Sequence, residues 1–354
     1  MSSIPEEIYF EIFLKVPEVQ SLLACKYVCK TWIYIISNLD FVKKQLNLTI
    51  KRNNPNLMLQ VSENYTPTFR NEYYSEKCLP SCRNVFYSIR HDSLESLLSP
   101  DKFFHDYALE LDCPLKSLSY TVEVMGCCNG LVCLWFWKKQ LFCLWNPATR
   151  EYYKVLPKSN IHDDDVKLVM VAPGYDDRIN DYKLFVCSDS VSEVYLLGLN
   201  SWRSIENVTR NEFLVGHESG ILLNRKLHWL GRSPHNSSSA LVYLDISNEI
   251  FKEMDLPAEV SEFDLFFNLG VLEGCLRLLS TSDLDDHVKI WVMQNYGVWK
   301  SWTNRYIVKN KRIVDDTSLR LLWSFKSGED LFRGDQAGLL LYDPKYGSPR
   351  LYEM

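Results

Sequence analysis

The sequence predicts a mainly β chain, a short helical segment followed by a series of small antiparallel sheets. Three observations carry this. Brief apolar runs recur along most of the 354 residues, each closed by Gly, Pro, Asn or Asp. Aromatic residues make up 13% of the chain, and they favour strands. An aromatic just past the last turn of each unit, at Tyr152, Trp202, Phe251, Trp299 and Tyr352, recurs at a spacing of about 50 residues.

Residues 1–46 come first and read as helices. Ser3 is placed to cap a first helix with Pro5 in its first turn, and Pro17 closes it. Ile8, Tyr9, Phe10, Ile12, Phe13, Leu14 and Val16 are more apolar residues than one helical face turns toward a single core, so a second side needs covering. A second helix over 19–27 offers Leu22 and Leu23, with Val28 at its end. A third runs through Trp32, Ile35 and Ile36, and Asp40 caps a last turn holding Phe41 and Leu46. A unit this small buries too little of its own surface and is stabilised by docking onto another protein.

Residues 47–121 are a connecting segment with three expected strands, 57–61, 85–89 and 109–111. The clearest unit is 126–157, with strands 131–136, 140–144 and 151–156 joined at Lys138-Lys139 and Asn146-Pro147. Such a sheet cannot hide both faces and needs neighbours of its own kind. The same grammar recurs through 169–205, 220–254, 269–302 and 339–352. A repeat of about 50 residues with three or four short strands is the spacing of a kelch-like β-propeller blade. Five units are visible over 122–354, and 47–121 supplies one more, sharing strands with the last to close the ring. Six blades are expected, with seven as the alternative.

Composition bounds the function. A net charge of −6 argues against nucleic-acid binding, and the anionic excess lies beyond residue 46, where a basic partner is favoured. No apolar run approaches the roughly 18 residues that span a bilayer, and the opening Met1-Ser2-Ser3-Ile4-Pro5 lacks the pattern of a signal peptide. A soluble protein of the cytoplasm or nucleus, with no membrane partner, is expected. Eleven irregularly spaced cysteines, without the paired spacing of a zinc site, read as free thiols.

The first 46 residues resemble the F-box of plant F-box proteins. The matching positions are Ile4, Pro5, Ile8, Ile12, Pro17, Leu22, Leu23, Val28, Cys29, Lys30 and Trp32, with Ile4-Pro5 where relatives have Leu-Pro and one extra residue before Ser21. Beyond Glu123 the order of motifs resembles the F-box-associated domain. These are Gly126–Leu134, Leu144–Glu151, Gly174–Lys183, Asn200–Ile205, Leu227–Leu230 and Ile290–Trp302. The layout is similar to that of the S-locus F-box proteins. The resemblance implies a substrate receptor of an SCF (Skp, cullin, F-box) ubiquitin ligase, binding the Skp-family adaptor, and through it a cullin, by those eleven residues. It implies no catalytic residue, metal or cofactor.

Other candidates for chemistry are weaker. His162–Asp165 and Asp283–His287 lack the Gly and distal Glu of a calcium loop and read as solvated turns. Cys127-Cys128 has no His close in sequence to activate it and reads as a turn entering a core strand. His228 reads as a hydrogen-bonded structural residue, and Trp145, Trp202, Trp299 and Trp302 as packing positions repeated between blades. Target choice is assigned to loops that differ between units: 158–165, 176–181, 232–239, 282–287, 309–316 and 326–335. Asp163, Asp177, Arg178, Arg232, His235, Asp285, His287 and Arg312 are their candidate residues. Two rivals to the receptor stand: a propeller enzyme of the glycoside hydrolase or oxidase class, and an F-box scaffold without ubiquitin transfer.

Overall fold

The computed structural model describes residues 4–16, 19–38, 41, 44, 45, 48, 57–63, 83–99, 106–114, 122–147, 150–155, 168–188, 192–205, 214, 215, 218–232, 239–257, 264–282, 285–309, 319–334 and 338–352. Three helices lead: α1 (Glu6–Lys15), α2 (Val19–Cys25) and α3 (Lys30–Ser37). Pro5, not Ser3, is the N-cap residue of α1, and no side chain caps it; Glu6 and Glu7 at its start and Lys15 at its end complement the helix dipole. Ser3, Pro17, Asp40 and Leu46 lie outside the described residues. The second helix stops at Cys25, short of its expected end, and residues 26–28 form a turn. Phe13, Leu14, Leu22, Ile35, Ile36 and Phe41 make a core of their own, with Trp32 packed edge-on to Phe13 at 4.9 Å. The Gln45 amide closes it by donating to the Val16 carbonyl at 2.9 Å.

Six sheets follow among the described residues. Sheet 1 holds β1 (Leu57–Glu63), β2 (Arg83–Ile89) and β3 (Ala108–Leu111), and sheet 2 holds β4 (Val122–Cys128), β5 (Leu131–Phe136), β6 (Leu141–Trp145) and β7 (Tyr152–Val155). Sheet 3 is β8 (Leu168–Asp176), β9 (Asp181–Ser188), β10 (Ser192–Leu196) and β11 (Ser201–Ser204). Next along the chain come β12 (Leu214–Val215), β13 (Glu218–Ser219), β14 (Ile221–Leu223), β15 (Lys226–Arg232), β16 (Ser239–Asp245) and β17 (Ile250–Met254). All of these build sheet 4 except β13, which joins sheet 3. Sheet 5 is β18 (Asp264–Leu272), β19 (Cys275–Ser282), β20 (Asp285–Met293) and β21 (Trp302–Val308). Sheet 6 is β22 (Arg320–Ser324), β23 (Asp330–Gly334), β24 (Gly338–Asp343) and β25 (Ser348–Tyr352). Asn129-Gly130, both left-handed at φ 51° and 78°, turn β4 into β5 as an Asn-Gly pair should.

Apolar side chains between neighbouring sheets close these sheets into a ring. Cys133 and Trp135 of sheet 2 meet Leu184 and Tyr195 of sheet 3. Phe185 of sheet 3 meets Trp229 of sheet 4, and Leu230 of sheet 4 meets Leu278 of sheet 5. Ile290 of sheet 5 meets Phe332 of sheet 6. Leu339 of sheet 6 then meets Leu59 of sheet 1, and Phe86 of sheet 1 meets Trp145 of sheet 2. This is a six-bladed propeller, as expected. Among the described residues, however, the ring does not close by shared strands: sheets 1 and 6 pack face to face, with Arg350 donating to the Leu98 carbonyl at 3.0 Å and Tyr352 to that of Leu97, both in the helical turn after β2.

Two expectations about the repeat need correction. Trp299 lies in a 3-10 turn, 42% exposed, and Trp302 takes the outer-strand position, opposite Met293 as Trp202 is opposite Tyr195. Trp145 lies on the third strand of its sheet, so the tryptophans are not equivalent. The segment 326–335 is not one loop, because Asp330–Gly334 is the strand β23, with Leu331 and Phe332 fully buried.

Candidate functional site

Two regions carry the candidate residues. On α1, Ile8 and Ile12 stand one turn apart on one face, while Tyr9, Phe10, Phe13 and Leu14 turn into the helical core. Ile4, Ile8 and Ile12 remain 49%, 49% and 48% exposed. Tyr27 and Val28 project from the turn after α2, and Ile33 and Tyr34 from α3. Of the residues assigned to adaptor binding, Ile4, Pro5, Ile8, Ile12, Val28, Cys29 and Lys30 are exposed. Leu22 is buried, Leu23 half-buried, and Trp32 packs on Tyr9 and Phe13, so these hold the helices together beneath the surface. Pro17 lies outside the described residues. Tyr27, Ile33 and Tyr34 escape the sequence reading; their signal is an apolar residue on the side of the helix where the pattern calls for a polar one.

In the ring, hairpin order assigns faces. The first and third turns of a four-stranded meander open on one face; the second turn, and the connection to the next sheet, open on the other. Asp177 and Arg178 sit in the first turn of sheet 3. Arg232 ends β15, while Asp285 and His287 begin β20, so these three belong to the opposite face. Asp163, His235 and Arg312 lie outside the described residues, as do 158–165 and 310–316.

Asp177 and Arg178 already serve the ring. Asp177 pairs with Arg225 of sheet 4 at 2.7 Å, and Arg178 donates to Asn248 at 3.2 Å. Beneath them Lys183, 3% exposed, donates to Asp176 at 2.8 Å, to Glu249 at 2.6 Å and to the Ile246 carbonyl at 3.0 Å. Burial works to raise the Asp176 pKa, but the hydrogen bonds from Lys183, Ser247 and the Arg178 amide hold it below the usual carboxylate value.

The remaining candidates are structural in their surroundings. Burial pushes the Cys128 thiol up to about 12, which leaves it protonated rather than nucleophilic. His228 is fully buried, its Nδ1 3.1 Å from the Ile221 carbonyl and its Nε2 2.8 Å from the Tyr296 hydroxyl, and burial pushes its pKa down to about 4. Among the described residues no three metal-binding side chains come together, and no helix is long and apolar enough to cross a membrane.

Residues 1–44 match the F-box domain, and residues 86–332 match the F-box associated beta propeller domain. The chain belongs to the F-box associated propeller family. This F-box protein is 28% identical to the F-box protein CPR1 of Arabidopsis thaliana, over 90% of this chain and 76% of CPR1. It is 26% identical to the F-box/kelch-repeat protein At3g23880 of the same plant, over 98% of this chain and 89% of that one. Among solved structures, an oligogalacturonate lyase in complex with manganese is similar over 63% of this chain and 73% of its own, at 8% identity and a TM-score of 0.36. So remote a likeness carries no argument about chemistry. The F-box protein thus has the layout of its plant relatives, an N-terminal F-box before a propeller.

Proposed function

We propose that this F-box protein is the non-catalytic, substrate-recognition subunit of an SCF-type ubiquitin ligase in the cytoplasm or nucleus. The helical domain docks on the Skp-family adaptor and through it on a cullin. The propeller holds a target protein, and transfer is accelerated by proximity, which raises the effective concentration of target lysines near the charged enzyme. The observation that carries this is the apolar side of α1: a helical unit with a finished core still leaves Ile4, Ile8 and Ile12 half exposed. Arg232, Asp285 and His287 share one ring face and are the target-binding candidates among the described residues, with Asp163, His235 and Arg312 as further candidates.

The test is co-purification of the full chain with a Skp-family adaptor. Ile8→Asp with Ile12→Asp is expected to abolish capture, because two half-buried anions would meet an apolar partner, while the helical core stays intact. Undiminished capture overturns the proposal. These two residues serve better than Pro5 with Trp32, since Trp32 is part of the core and its loss would confuse unfolding with lost contact.

A further inference from the structure

Among the described residues, the inner edge of sheet 4 is broken in a way the other sheets are not. Its β12 pairs with Gly231 and Arg232 at one end of β15, and β14 pairs with Lys226, Leu227 and His228 at the other. Between them the chain leaves its own sheet. Glu218 and Ser219 pair in parallel with Met170 and Val171 of β8 in sheet 3, and the Gly220 amide donates to the Val171 carbonyl at 3.2 Å. Among the described residues this is the only backbone ladder shared by strands of two blades. A close approach requires the glycine: a Cβ on Gly220 would lie 2.6 Å from the Trp229 ring and 2.7 Å from the Ala172 side chain.

At the tight-turn end of the same two blades lies the buried Lys183 cluster. Lys183 and Asp176 come from sheet 3, Glu249 and the Ile246 carbonyl from sheet 4. The Ser247 hydroxyl donates to Asp176 at 2.8 Å, and Arg203 of β11 also reaches Glu249. The contact between sheets is thus fastened twice, by backbone at β13 and by a desolvated ion cluster, which is costly to open because it would leave buried charges unpaired.

We propose that blades 3 and 4 form a double blade that opens as one unit, separately from blades 2 and 5 on either side of it. It supplies a rigid mount for the strand end at Arg232, which β12 pins by pairing with it.

Hydrogen exchange of the full chain, followed by mass spectrometry, tests this. In the unmodified protein the slow amides of β9 and β15 are expected to share one opening rate within about twofold, distinct from those of β5 and β19. Lys183→Met is expected to speed exchange at least tenfold in both sheets 3 and 4, with little change in sheets 2 and 5. Acceleration confined to sheet 3, or spread evenly around the ring, overturns the double blade. Should Lys183→Met not fold, Ser247→Ala removes only one bond of the cluster and is expected to act in the same direction on both sheets. Distinct opening rates for β9 and β15 in the unmodified protein overturn it without any variant.

Discussion

The helical domain and the ring use apolar residues in opposite ways. The helices bury one cluster and leave Ile4, Ile8, Ile12, Tyr27, Val28, Ile33 and Tyr34 exposed. The ring turns most of its large apolar strand residues into six interfaces, leaves Tyr152, Tyr153, Ile250, Ile307 and Leu351 exposed on its outer strands, and even desolvates Lys183, Asp176, Arg277 and Asp330. A small unit that leaves so much outside is built to be covered, whereas a ring that spends its inner strands on itself has its turns, connections and outer strands left for recognition.

The helical domain is the more easily lost of the two. Phe13→Ala removes the centre of a core with few other members and is expected to cost about 4 kcal/mol, unfolding the helical domain while the ring persists. Two separate thermal transitions, with only the first lost, would show it. A single shifted transition would mean that the two domains fold as one.

In the ring, acid is the sharper tool. His228 is held down to about 4 in the folded state, against an ordinary 6.5. The unfolded chain therefore takes up this proton first as pH falls. Its contribution is complete above about pH 6.5 and is lost on descending toward 4, on the order of 3 kcal/mol in all. Urea unfolding across that window should show the slope, and His228→Gln should flatten it. Asp176 acts with the same sign lower down: its pKa is depressed, so its stabilisation is lost as pH falls through the carboxylate range. Ser247→Ala, which removes one hydrogen bond to that carboxylate, is expected to cost about 1.5 kcal/mol at neutral pH in the same unfolding assay.

The smallest effect on stability belongs to the exposed α1 pair Ile8→Asp with Ile12→Asp. A change within about 0.5 kcal/mol is expected, since both residues stand outside the core. A large loss would mean that this face is covered within the chain, and the contrast between the two domains would fail.

Most strands from 131 to 302 were legible in the sequence because each pairs a short apolar run with a turn residue of defined geometry, as at Asn129-Gly130; Val122–Cys128 was not, and Cys127-Cys128, expected as a turn, end the strand β4. The ruler slipped at Trp299 because the β20–β21 hairpin is longer than its counterparts: Met293 faces Trp302, while Tyr195 faces Trp202 after a shorter turn. Sheet 6 lost its first two strands to the reading, since Arg320–Ser324 and Asp330–Gly334 are short and bracket a polar turn. Of the candidate residues, Asp177 and Arg178 looked like free loop charges because their partners, Arg225 and Asn248, come from another blade. Which loops share a face followed only from the strand order. The departure of β13 into sheet 3 left no trace in the sequence beyond Gly220, whose reason is a ring that lies near it only in space.

Closing the ring by packing sheet 6 against sheet 1 also sets a schedule. On the ribosome the helical domain and sheet 1 emerge before the other sheets, but side chains that cover Leu59 and Ile89 belong to sheet 6, made after the five others. The helical domain can complete its core while the propeller is still a horseshoe, with sheet 1 waiting for a neighbour made only after four further sheets. A nascent chain stalled before residue 319 would present both a folded helical domain, its apolar α1 face open to a partner, and an unfinished apolar edge on sheet 1.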